Sequence, residues 1–265
     1  MAARILQLVL HYDGAGFAGW QRQRTERTVQ GVLEESLARL CTEPVKVVGA
    51  GRTDAGVHAT GQAAGVQVPE KWTPASLRRA LNAVLPADCW VASAFEMRPG
   101  FHARYGATAR RYRYLVGTDE QARSPFRRRW EHAVGHALDV ARLREEAAAL
   151  PGEHGFRAFA VQGTAPADDD HRCIVRQATW AEREGGLAFV VEANRFLHHM
   201  VRFLVGTMLD VGLGRRPPGT VARLLDAADN REVAPPAPAH ALYLERVEYP
   251  RELYLDPELQ ESQSA

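Results

Sequence analysis

Residues 4–40 read RILQLVLHYDGAGFAGWQRQRTERTVQGVLEESLARL. In residues 4–12 apolar side chains alternate up to Tyr12-Asp13-Gly14, which predicts a β-strand closed by a turn. Thr28 then stands in front of Val29, Val32, Leu33, Leu37 and Leu40, which share one helical stripe. A hydroxyl at that place accepts a backbone N–H that the first helical turn leaves open, so Thr28 is read as an N-cap. The same theme continues outward. Strands are expected near 45–48 and 63–68, with a glycine-rich loop between them. Thr73-Pro74 pairs a cap with a proline at the first helical position and predicts a second helix carrying Leu77, Leu81 and Val84. Residues 90–97 read as another strand. The order over the first hundred residues is β-α-β-β-α-β, that of a split ferredoxin-like unit.

The second half has the same flavour. Strands are predicted near 109–117, 131–135, 172–182 and 187–194. One helix is expected from Asp139 to the stop at Pro151-Gly152. A second, over about 196–212, carries Phe196, Met200, Val201, Leu204, Val205 and Met208. Thr220 is read as the cap of a short helix reaching about 228. Residues 230–240 form a Pro- and Ala-rich loop, and 242–249, LYLERVEY, alternate as a last strand. The expected class is α+β: two ferredoxin-like α/β halves, 1–106 and 107–250, sharing a mostly antiparallel or mixed central sheet with a cleft between them. Residues 251–265 are expected as a flexible polar tail. No repeat is visible between the halves in the sequence itself.

Composition narrows the function. With 46% hydrophobic and 25% charged residues over a length of 265, the chain reads as a soluble globular protein able to bury its own core. The cysteines, Cys41, Cys89 and Cys173, are sparse, odd in number and lack ligand spacing. That argues against a disulfide framework or structural zinc and fits a reducing cytoplasm. The N-terminal apolar run continues into the first strand and does not read as a signal peptide. No apolar run reaches membrane-spanning length. The net charge of +1 does not announce a nucleic-acid partner, but its distribution is informative. Lys46 and Lys71 are the only lysines among 33 basic residues, and arginines cluster at Arg110, Arg111 and Arg113 and again at Arg123, Arg127, Arg128 and Arg129. Guanidinium clusters suit phosphate contacts, although a basic cluster is more often a solvated face.

Three segments carry candidate chemistry. The first, Gly49 to Ala59, reads GAGRTDAGVHA. Glycines let backbone approach a ligand, while Asp54 and Arg52 supply charge; an Asp in such a stretch is also a common turn residue, and both readings stay open. The phosphate-binding pattern GxxxxGK[ST] is absent. The second, residues 109–114, reads ARRYRY. Strand alternation puts Tyr112 and Tyr114 on one face and Arg111 and Arg113 on the other, which suits base stacking with phosphate contact or, equally, half-buried packing. The third, residues 194–203, reads NRFLHHMVRF. Here Arg202 falls beside an apolar flank and is expected to need an acidic partner. His198 and His199, adjacent on a helix, would point in different directions and are read as surface or cap residues.

Taken together these segments resemble the tRNA pseudouridine synthase A family over nearly the whole chain. YDGAGFAGWQRQ…TVQ (12–30), GRTDAGVHA (51–59), RRYRY (110–114), FLHHMVR (196–202) and APAHALYLERVEYP (237–250) look like family signatures in family order. The resemblance implies the pseudouridine synthase fold and a cofactor-independent, metal-free isomerase. It would convert uridine to pseudouridine at positions 38, 39 and 40 of the tRNA anticodon stem-loop. It further implies Asp54 as nucleophile, Tyr112 against the target base, Arg202 paired with Asp54, and Arg52 in handling RNA, with Arg110 and Arg111 as further RNA contacts. A cytoplasmic homodimer with tRNA as partner is expected. The segment EHGFRAFAVQ (153–162) looks like a substrate-side element, and the acidic Asp168-Asp169-Asp170 after it is expected in a loop away from RNA.

Overall fold

The computed structural model describes residues 3–166 and 168–256. The chain divides into two compact units. One is built from the described residues up to Thr108 together with those from Leu244 onward, and the other is Ala109–Tyr243.

In the first unit, strands β1 (Ala3–Tyr12), β2 (Val47–Gly49), β3 (His58–Pro69) and β4 (Cys89–Glu96) alternate with helices α1 (Val29–Cys41) and α2 (Pro74–Val84) in the expected β-α-β-β-α-β order. The strands lie in the order β4–β1–β3, with β2 on β3, all antiparallel, and the last strand among the described residues, β10 (Leu242–Glu248), also borders β3. The inward face of β1 is Leu6, Leu8, Leu10 and Tyr12, and α1 presents Val29, Leu33 and Leu37 to the core. Thr28 caps α1 by accepting from Gly31 N, and Thr73 with Ser76 forms a reciprocal capping box at α2. Val84, expected on the buried stripe of α2, is 39% exposed at its end.

The opposite face of β1 is also covered. Ile5 and Val9 pack on a cluster of Ala50, Ala63, Phe95, Met97, Tyr249 and Tyr254. The chain end supplies part of it, because Tyr254 meets Phe95 edge-on at 5.6 Å and Leu255 N donates to Glu96 O at 3.0 Å. Within 251–256, expected to belong to a loose tail, Tyr254 is buried and anchors the segment, while Arg251, Glu252, Leu255 and Asp256 stay exposed. The rest of that expected tail, 257–265, lies outside the described residues. β3 is longer than alternation predicted, extending back to His58 through Gly61. A Cβ at Gly61 would stand 2.1 Å from Glu245 O, so the neighbouring backbone comes close only where side chains are absent.

The second unit holds β5 (Ala109–Gly117), β6 (His132–Ala133), α3 (Val140–Ala148), β7 (Gly152–Gly155), β8 (Arg172–Arg183), β9 (Gly186–Ala193), α4 (Met200–Gly212) and α5 (Thr220–Leu224). Its strands run β5–β9–β8–β7, antiparallel, with β6 parallel to β5. The fold is α+β with mostly antiparallel pairing. Met200, Leu204, Val205 and Met208 of α4 are buried beside Leu143 of α3 and Trp180 of β8. Close approach of the two helices depends on Gly212, where a Cβ would lie 2.9 Å from the Leu143 side chain.

Two helix starts differ from expectation. α4 begins at Met200, not near 196, because Asn194 ties the chain leaving β9 to Ile174 through both backbone and side chain (3.0 and 2.9 Å). His199 then takes a left-handed turn at φ 62° before the helix proper. Phe196 is thus outside the helical stripe. At α5 the cap position is Gly219, at φ 78°, Thr220 is the first helical residue, and the helix ends at Leu224. Its open N–H groups are met from elsewhere in the unit: the buried Glu146 carboxylate accepts from Gly219 N and from Val221 N, the latter at 2.7 Å. Removing that carboxylate strands one buried donor, Val221 N, and one part-buried donor, Gly219 N. Glu146→Ala should lower stability by about 2–3 kcal/mol in urea unfolding, and Glu146→Gln, which keeps one acceptor, by less. Equal losses for both would mean that the charge, and not the hydrogen bonds, does the capping.

Candidate active site

The loop after β2 is where the first unit concentrates its polar chemistry. Gly49 leads into Ala50, whose N donates to Ala63 O at 2.8 Å, and Gln62 Nε2 donates to Gly51 O at 2.9 Å. Thr53 is buried: its carbonyl accepts from Trp20 N at 3.0 Å and its Oγ1 lies 2.8 Å from the Tyr12 hydroxyl. Burial raises the Tyr12 pKa, so the phenol stays protonated in this contact. Asp54 follows, half-buried, at the head of a tight turn in which Val57 N donates to Asp54 O at 3.2 Å and Gly56 takes φ 80°. A positive φ at the third position of such a turn is glycine's place. The backbone that carries Asp54 is thereby pinned on both sides. Arg52, exposed on the same loop, donates from Nε to Gln21 Oε1 at 3.0 Å.

Residues 12–20 are what the loop leans on. A Cβ at Gly14 would lie 2.1 Å from Val57 O, and one at Gly19, which sits at φ 96°, 2.8 Å from Thr53 O. Gly14 N also donates to His58 Nδ1 at 2.9 Å. From the sequence these positions carried no role beyond a turn after β1. The available signal was the clustering of glycines among aromatics, YDGAGFAGW, immediately after a strand.

The second unit carries the other candidates. Tyr112 on β5 is buried and its ring meets Phe196 edge-on at 5.0 Å. Phe196 leaves the helix only to become this partner. Tyr114, on the same face, is fully buried, and burial raises its pKa against the opposing influence of the Arg202 charge. Arg110 donates from Nη1 to Asn194 O at 2.7 Å, which makes it a tie on the segment leaving β9, while Arg111 is half-buried on the strand. Arg202 is half-buried on α4, with Nε donating to Ala237 O at 2.7 Å; Ala237 N returns a bond to Arg202 O at 2.9 Å. The guanidinium is oriented by that carbonyl. His198 and His199 do not point apart as a helix would force: with no helix there, their ring centroids are 4.3 Å apart.

Of the predicted residues, then, Asp54 and Arg52 share one loop of the first unit, and Tyr112, Arg110, Arg111 and Arg202 belong to the second. The acidic stretch is a loop, as expected, with Asp169 paired to Arg195. In the second arginine cluster, Arg127 faces inward to Asp119 and Glu131, both at 2.7 Å. The thiols of Cys89 and Cys173 are pushed up to about 12 by burial, opposite to what a thiolate ligand needs.

The pattern of the tRNA pseudouridine synthase family matches residues 8–106 and 147–250. The chain belongs to that family. Among its relatives is the tRNA pseudouridine synthase A of Exiguobacterium sibiricum, 40% identical over 93% of this chain and 97% of its own length. That of Solidesulfovibrio magneticus is 43% identical over 92% and 90% respectively. That of Chloroflexus aurantiacus is 42% identical over 93% and 89%. A pseudouridine synthase is an isomerase, and the Asp54 loop and Arg202 both fall inside the matched segments. Tyr112, Arg110 and Arg111 fall between them. No helix among the described residues is long and apolar enough to cross a membrane.

Proposed function

We propose that this chain converts uridine to pseudouridine at positions 38, 39 and 40 of the tRNA anticodon stem-loop, with Asp54 as the nucleophile. The observation that supports this most is the Asp54 loop. A carboxylate is presented half-buried on a loop whose backbone is hydrogen-bonded to β3 and the 12–20 segment and whose Thr53 hydroxyl meets that of Tyr12 at the end of β1, and the loop lies within the family match. Such fixing is what a nucleophile needs, since misplacement by about 1 Å costs about 10²-fold in rate.

In the reaction the N1–C1′ bond breaks, the base turns within the site, a C5–C1′ bond forms, the C5 proton leaves and N1 takes up a proton. No electrons are gained or lost overall. Asp54 attacks at C6 of the base or C1′ of the sugar, or assists an elimination; all three need it ionised. Arg202 is its counter-ion in this reading, favouring the charged form. Tyr112 faces the base, which must leave its stack to react, and an aromatic platform offsets part of that cost. Arg52, Arg110 and Arg111 meet RNA backbone, consistent with recognition by shape. The enzyme works as a cytoplasmic homodimer.

The test is tritium release from anticodon stem-loop tRNA carrying [5-³H]uridine. Release from uridines 38–40 is expected, and a protein that binds this tRNA but releases nothing would be an RNA-binding protein without the activity. Arg202→Leu should stay folded and lose about 90% of turnover, in line with removal of one electrostatic partner. Turnover near the parent value would remove Arg202 from the machinery.

A further inference from the structure

The arginine cluster at 123–129 is not used in the reaction above. In the second unit it sits on the segment joining β5 to β6, and that segment is tightly built. Asp119 caps a short 3-10 turn by accepting from Ala122 N at 2.9 Å. Ser124 O accepts from Arg127 N at 3.0 Å and Arg128 N at 2.8 Å, and Arg127 O accepts from Trp130 N at 2.8 Å. The Tyr243 hydroxyl donates to Trp130 O at 2.8 Å. Arg127 points inward and, with Arg183, neutralises the buried Glu131.

What this scaffold holds outward is unusual. Phe126 is 87% exposed, Trp130 is 38% exposed with the Arg129 guanidinium 5.0 Å over its ring, and Arg123 and Arg128 are exposed beside them. A phenyl ring kept in water gains nothing from burial, yet here it stands on an ordered loop that does not fold it away. An apolar protein surface would leave the arginines unpaired, and an acidic peptide offers no flat face to the ring. A single-stranded nucleic acid meets both demands: a base face for the aromatic and phosphates for the guanidiniums. The segment also falls between the two stretches of the family match.

We propose that the 123–130 loop is an RNA-binding site at which Phe126 stacks on an unpaired base while Arg123 and Arg128 contact neighbouring phosphates. The proposal rests on tRNA being the substrate and adds a contact that takes no part in the chemistry.

Phe126→Ala and Arg128→Ala test it, with tRNA affinity measured across a salt series and tritium release giving kcat and KM. Both side chains are exposed, so the fold should survive. Phe126→Ala should raise Kd and KM about tenfold while kcat at saturating tRNA stays within about twofold. Phe126→Trp should restore binding. Arg128→Ala should weaken binding and reduce the salt slope by about one. If both alanine variants bind tRNA as the parent does, the loop proposal falls while parent turnover leaves the isomerase reading intact. If Phe126→Ala instead lowers self-association in sedimentation with RNA binding unchanged, Phe126 is a contact between copies and the proposal is overturned. A parent that binds tRNA through this loop but releases no tritium would uphold the loop and sink the reaction.

Discussion

Asp54→Asn should fold, bind tRNA with near-parent affinity and lose at least about 10⁴-fold in single-turnover tritium release. The change is nearly isosteric, and three of the bonds that shape the loop do not involve the altered atoms. The turn is closed by the backbone carbonyl of Asp54 accepting from Val57 N, and the anchors are Thr53 O to Trp20 N and Thr53 Oγ1 to the Tyr12 hydroxyl. What disappears is the negative charge and with it the nucleophile, because an amide does not ionise in the working range. Retention of more than about 1% of parent turnover would take the nucleophilic role away from Asp54. A matched loss of tRNA binding would instead make it a binding residue.

Gly14→Ala should be a damaging small change at a residue that has no part in the chemistry. The new methyl would stand 2.1 Å from Val57 O, 2.5 Å from Val57 C and 2.9 Å from Gly56 C. All three are backbone, so no rotamer change relieves the contact. Either the 12–20 segment or the turn that carries Asp54 must move. A loss of about 3 kcal/mol in stability is expected from such overpacking, together with a fall of about 10²-fold in turnover from displacement of the nucleophile. Gly51→Ala provides the comparison on the same loop. A Cβ there meets nothing within 4 Å, so its stability should stay within about 0.5 kcal/mol of the parent. Urea unfolding and tritium release on both variants separate the two cases. Equal behaviour of the two would mean that the loop is softer than its contacts indicate.

Local signals were read well wherever the physics is local. Thr28, Thr73 and Asp139 cap the helices that the sequence placed after them, since a hydroxyl or carboxylate meeting an N–H two or three residues on needs nothing distant. The alternation of residues 109–117 placed Tyr112 and Tyr114 on one face of a strand, and that face is buried. Errors arose where a distant residue decides. Thr220 has the look of a cap, but the capping comes from Glu146, more than seventy residues earlier in the chain. Residues 196–199 continue an apolar helical pattern, yet Asn194 bound to Ile174 prevents the helix from starting there. The polar end of the chain carries Tyr254, which found a core that no local pattern announced.

By itself, then, the amino-acid sequence determined the strand and helix order apart from β7, the local caps, the faces and, through its motifs, the family. Tertiary structure alone decided why Gly14 and Gly19 must be glycine, which arginines are already engaged, and where the histidine pair turns. The difference is physical. Hydrogen bonds within a turn and side chains on one stripe follow from spacing along the chain, whereas close approach of two backbones is set by segments far apart in sequence, brought together only by folding.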